Sequence, residues 1–168
     1  MVYSLLKKVA PPHEPQIIPK LPNGIRILYD LSCFTYLPVS IVYWRHGTRG
    51  FISGRILLFM LPVQVFLSYA ADSVEFLSQG RGGKWQTIDS IWATGILFTA
   101  ITFVRAIAET EPSRIYDINI FWMGLSIGAI AWVSGVMLLN SRPHALEWSI
   151  CHIIWHFAPA MCAINLFS

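Results

Sequence analysis

The chain has 168 residues, of which 55% are hydrophobic and only 12% charged, with a mean hydropathy of +0.55. A soluble domain usually carries about a quarter charged residues, so this composition excludes an ordinary soluble globule and points to a polytopic membrane protein. The net charge of +3 is small and spread along the sequence, with no basic block, which excludes nucleic acid as a partner.

Residues 1–26 form a proline-rich tail containing Pro11, Pro12, Pro15, Pro19 and Pro22. It is expected to be extended and to lie on partners or on the membrane surface. No apolar run follows Lys7 and Lys8 closely, so no cleavable signal peptide is expected and the first membrane helix would act as the targeting signal. Residues 27–168 contain five apolar segments of spanning length, predicted near 27–44, 55–77, 87–107, 117–139 and 145–167. The expected architecture is therefore all-α, a polytopic bundle of about five transmembrane helices in one domain.

Segment one is diluted by Asp30, Ser32, Thr35, Pro38 and Ser40. Gly47, Gly50 and Gly54 mark the first loop. Segment two carries Gln64, Ser68, Asp72 and Glu75, whose spacing puts them on one helical stripe. Carboxylates are costly in hydrocarbon, so the stripe should face the bundle. After Gly80, Gly82 and Gly83, segment three opens with Trp85 and places Asp89 near its start. Glu111-Pro112-Ser113 ends it. Segment four holds Gly124-Leu-Ser126-Ile-Gly128, with Ser134 and Gly135 beyond; such small faces let another helix approach closely, in this chain or a neighbour. Asn140-Ser-Arg-Pro143 makes a tight fourth loop. Segment five carries Glu147, His152 and His156. Trp44, Trp85 and Trp122 fall near predicted boundaries, where indoles favour the interface. Cys33, Cys151 and Cys162 lie inside apolar segments and read as small buried hydrophobes. The Lys and Arg balance favours an inward amino terminus.

Segments two, three and five all approach the second-loop side of the membrane. His152 and His156, at i and i+4, lie one turn apart on a helix face, about 12 and 18 Å deep. Asp72, Asp89, His152 and His156 therefore converge in one half of the bilayer. Two imidazoles and a carboxylate suit zinc, which takes nitrogen and oxygen at about 2.0 Å. A protein set of three leaves a position for water, acidified towards pH 7. Asp89 would orient that water or act as general base, and Ser68 would hydrogen-bond a ligand or oxyanion. The bland alternative has the histidines bonding across helices, Asp72 and Glu75 capping a helix at the interface, and Asp89 as a helix-start carboxylate. Haem is a weak reading, because bis-imidazole ligation needs a facing histidine and His46 and His144 sit near boundaries.

Ser68-x3-Asp72, then Asp89, then His152-x3-His156 with Trp155 before the last histidine resembles the CREST superfamily. That group includes alkaline ceramidases, adiponectin and progestin receptors, and myomaker-like proteins. The resemblance implies a zinc-dependent intramembrane amidase or esterase acting on lipids. It implies His152 and His156 as zinc ligands, Asp89 beside the metal water and Ser68 as the early serine. Asp72 stands where the family carries its third histidine, and five helices are two fewer than the family's seven. The competing expectation is a non-catalytic accessory subunit of a large organellar membrane complex, such as a mitochondrial respiratory one. Membrane lipids are the expected partners, with other membrane subunits reached through Gly124, Gly128 and the amino-terminal tail. The hydrolase reading places the chain in endomembranes, and the subunit reading in the mitochondrial inner membrane.

Overall fold

A computed structural model describes residues 21–46, 50–76, 83–141 and 145–167. Most of the proline-rich tail, Gly47, Gly80, Gly82, Arg142, Pro143, His144 and the side chains of Glu75 and Asn140 lie outside the described residues. Among the described residues there is no strand, and five helical stretches are long and apolar enough to cross a membrane. The protein is an all-α membrane bundle.

The first span covers Asn23–His46 and is made of two helices, α1 (Asn23–Ser32) and α2 (Tyr36–His46). The break has a local cause. Pro38 has no N–H, and its ring crowds the carbonyl four residues back, at Phe34. The chain tightens there: Thr35 N–H bonds the Ser32 carbonyl at 3.2 Å and Leu37 N–H bonds the Phe34 carbonyl at 3.0 Å. Ser32 and Thr35 hydroxyls also donate back to the carbonyls of Tyr29 and Ser32, at 2.6 and 2.8 Å. These bonds satisfy polar groups that hydrocarbon would leave unpaired. The corner buries Cys33 completely.

The second span is α3 (Ile52–Ser68), with Pro62 inside it, continued by a π-helical stretch over Tyr69–Phe76. The third is α4 (Lys84–Thr110). A 3-10 turn at Pro112–Arg114 leads into α5 (Ile115–Ser141), and α6 (Ala145–Phe167) closes the bundle. Tyr43, Leu57, Phe103, Ile107, Leu166 and Phe167 form a core at the end of the bundle away from the second loop. Its aromatic rings meet at 4.7 Å (Tyr43–Phe167) and 5.5 Å (Tyr43–Phe103). Apolar side chains such as Phe59, Phe98 and Ile130 remain exposed on the outer faces, as lipid contact requires.

The tightest pairing joins α5 to α6. An added Cβ at Gly124 would stand 2.5 Å from the Cys162 side chain, and one at Gly128 would stand 2.8 Å from Pro159. The small face of segment four is thus filled by this chain's own last helix. Arg114 fixes the end of the pair, donating from Nε to Asp117 at 2.9 Å and from Nη2 to the Asn165 carbonyl at 3.0 Å. By contrast, α4 leans on α3, where Trp92 Nε1 donates to the Met60 carbonyl at 3.0 Å, and packs little against α5. A seam therefore separates α4 from α5.

Gly124→Leu should push α6 off α5 at a backbone distance that cannot yield. Overpacking of this kind costs about 1–3 kcal/mol or more. The expected result is a clear fall in thermal unfolding temperature in detergent, whereas Gly24→Ala, with nothing within 4 Å of its added Cβ, should leave it unchanged.

Candidate metal centre

Asp72 sits in the π-helical continuation of α3. Such stretches recur at functional sites because an inserted residue re-aims the side chains beyond it. Ser68, one turn earlier, bonds Asp89; Asp72 turns to the histidines. Its side chain is buried, and Oδ2 lies 3.2 Å from His152 Nε2 and 3.5 Å from His156 Nε2. The three ligand atoms lie within 4.8 Å of one another. Buried Asp72, His152 and His156 could hold a metal ion.

The spacing itself is informative. Ligand atoms about 2.0 Å from a tetrahedral zinc stand about 3.3 Å apart, which is the separation found between Oδ2 and each nitrogen. His152 Nε2 is buried and makes no hydrogen bond despite its approach to Asp72. A buried imidazole nitrogen without a hydrogen bond is costly, and a cation between the groups would use it. The donor set, two imidazole nitrogens and one carboxylate oxygen, could hold a metal ion.

The histidine rings are held by aromatic neighbours. Tyr29, from α1, stacks on His152 with centroids 4.6 Å apart and planes 24° apart. Trp148, one turn before His152 on α6, meets it at 5.3 Å. Tyr36 of α2 packs edge-on against His156 at 5.9 Å. The Cys33 thiol approaches Asp72 Oδ2 at 4.0 Å. The corner between α1 and α2 therefore supplies the wall behind the cluster, and Thr35 ties it to α6 by a 3.4 Å bond to the His156 carbonyl.

Asp89 and Ser68 make a second polar group beside the first. Asp89 Oδ1 accepts from Gln64 Nε2 at 2.6 Å and from Ser68 Oγ at 3.0 Å, and Gln64 Nε2 also reaches Ser68 Oγ at 2.7 Å. Asp89 is not one of the clustered metal-ligand atoms. It faces the same cavity, of about 400 Å³, as Gln64, Asp72, His152 and His156. Apolar side chains also line it, Leu97 from α4 and Leu125 and Val136 from α5. Ser68 lies fully buried behind Asp89. Glu147, expected nearer the boundary, is exposed and outside the cluster.

The sequence reading placed Gln64 on the polar stripe without a role; here it is the principal donor to Asp89. It did not find Tyr29 or Tyr36, because their contacts depend on the corner that returns α1 and α2 against α6. Trp148 was findable in principle, since it precedes His152 by four residues on one helical face.

No family model, curated protein or solved structure matches this chain.

Removing Asp72, His152 or His156 by substitution with alanine should each weaken metal binding by more than the roughly 10–100-fold that loss of an outer-shell contact costs. Tyr29→Leu, which leaves every ligand in place, should fall within that smaller range. Metal-to-protein ratios after equilibration with zinc buffers measure both effects.

Proposed function

We propose that this chain is a zinc-dependent intramembrane hydrolase acting on an amide or ester bond of a lipid. The observation that carries the reading is the set of 3.2 and 3.5 Å separations from one buried carboxylate oxygen to two imidazole nitrogens. Asp72, His152 and His156 would hold the ion. Zinc in such a site supplies Lewis acidity and lowers the pKa of water to near 7. The resemblance to the CREST superfamily supports the same reaction class.

The chain's own residues would do the rest. The Asp89 carboxylate, fixed by Gln64 and Ser68, keeps an oxygen in the cavity to take a proton from the attacking water and pass it to the leaving group. The apolar wall of Leu97, Leu125 and Val136 suits an acyl chain, and the seam between α4 and α5 gives it a way in from the bilayer. The polar end then meets the scissile carbonyl. An endomembrane location follows from this reading.

A second reading has one observation in its favour. The contact of Asp72 with both histidines joins the second span to the last without a metal, as a buried clamp would. On that reading the chain is a non-catalytic accessory subunit, for example of a mitochondrial inner-membrane complex.

Zinc analysis and hydrolysis of fluorescent acyl amides and esters by the purified protein separate the two. The hydrolase should carry about one zinc per chain, and His152→Ala and His156→Ala should each abolish zinc and turnover together. Asp89→Asn should keep the zinc and lose about 10²–10⁴ in rate. Turnover surviving both histidine changes would exclude the metal mechanism; a zinc-free protein that co-migrates with a large complex would establish the subunit.

A further inference from the structure

A second groove lies on the outer face and runs from Leu37, beside Tyr36, to Arg45 at the end of the bundle away from the metal cluster. It has a volume of about 440 Å³ and runs between α2 and α3, lined by Leu37, Ile41, Trp44 and Arg45 on one side and by Leu58 and Pro62 on the other. Its walls are apolar and face the hydrocarbon: Leu37 is 45% exposed and Ile41 48%. From Leu37 to Arg45 the helix rises about 12 Å, so the groove descends from the membrane boundary into the acyl region.

Its mouth carries a cation. Arg45 is exposed and forms no ion pair among the described residues. Arg105 and Arg114, at the same end of the bundle, are paired with Glu109 and Asp117, at 2.8 and 2.9 Å. Arg55, also at this end, is exposed but does not line the groove. Trp44, 75% exposed, stands beside Arg45, as an indole at the headgroup level does. A permanently charged, planar donor above an apolar trough matches one ligand chemistry. A phosphodiester accepts the guanidinium fork, while an attached acyl chain fills the trough.

We infer that the groove between α2 and α3 is a binding site for one anionic phospholipid, its phosphate on Arg45 and an acyl chain along Leu37, Ile41, Leu58 and Pro62. A zwitterionic lipid offers the same chain and phosphate but brings its own cation to compete with Arg45. The site should therefore prefer phosphatidylglycerol to phosphatidylcholine. This assignment is independent of the metal centre and of the reaction proposed for it.

Native mass spectrometry of the full chain, titrated in detergent with phosphatidylglycerol or phosphatidylcholine, tests it. Retained phosphatidylglycerol should exceed phosphatidylcholine. Arg45→Gln should lower the retained phosphatidylglycerol about fivefold, the scale of one cation acting on anionic lipid at a membrane surface. Arg55→Gln, an equal change of charge at the same end, should leave it unchanged. Ile41→Trp, which obstructs the trough and keeps the charge, should lower retention of both lipids. Excess inorganic phosphate should not displace the lipid. Equal loss in Arg45→Gln and Arg55→Gln would overturn the assignment in favour of diffuse surface charge. Unchanged retention in Arg45→Gln, equal retention of the two lipids, or displacement by inorganic phosphate would overturn it as well.

Discussion

A carboxylate inside a membrane bundle has to be met by partners, and Asp72 is buried among helices where lipid offers none. An ionised carboxylate taken out of water is costly unless it is paired and hydrogen-bonded. The rest of the site follows from meeting that cost. The π-helical stretch aims the carboxylate inwards, His152 and His156 come to it from the last helix, and the corner between α1 and α2 closes behind them. Without that corner, the rings of His152 and His156 would lose Tyr29 and Tyr36 as walls.

The bundle packs tightly behind the helix that carries the histidines and more loosely between α4 and α5. Helices α5 and α6 approach closely because glycines at 124 and 128 leave room for Cys162 and Pro159. This pairing fixes the helix that carries both histidines. Helix α4, which carries Asp89, is instead anchored to α3 through Trp92 and Met60. The two halves pack together in the core at the end away from the second loop, where Phe103 meets Phe167, and face each other across the cavity towards the second loop. Polar and apolar side chains then face each other across the same space.

Two groups of polar residues share the cavity with different work. Asp72 belongs to the histidines, and Asp89 belongs to Gln64 and Ser68.

The sequence by itself determined the class of fold and the set of polar residues that gather around one cavity. Long apolar runs can satisfy their backbone in hydrocarbon only as helices, and helical rise placed Asp72, Asp89, His152 and His156 in one half of the bilayer. The small face at Gly124 and Gly128 was also legible, because absent side chains are a local property. The tertiary structure alone decided which carboxylate meets which partner. Ser68 and Asp72 share a stripe in an α-helix, yet the π-helical stretch after Ser68 sends one to Asp89 and the other to the histidines. Only the folded chain revealed that Pro38 breaks the first span and brings Cys33, Tyr29 and Tyr36 around the cluster, and that α6 occupies the glycine face. These contacts join residues from about 30 to more than 120 positions apart, and no local periodicity encodes them.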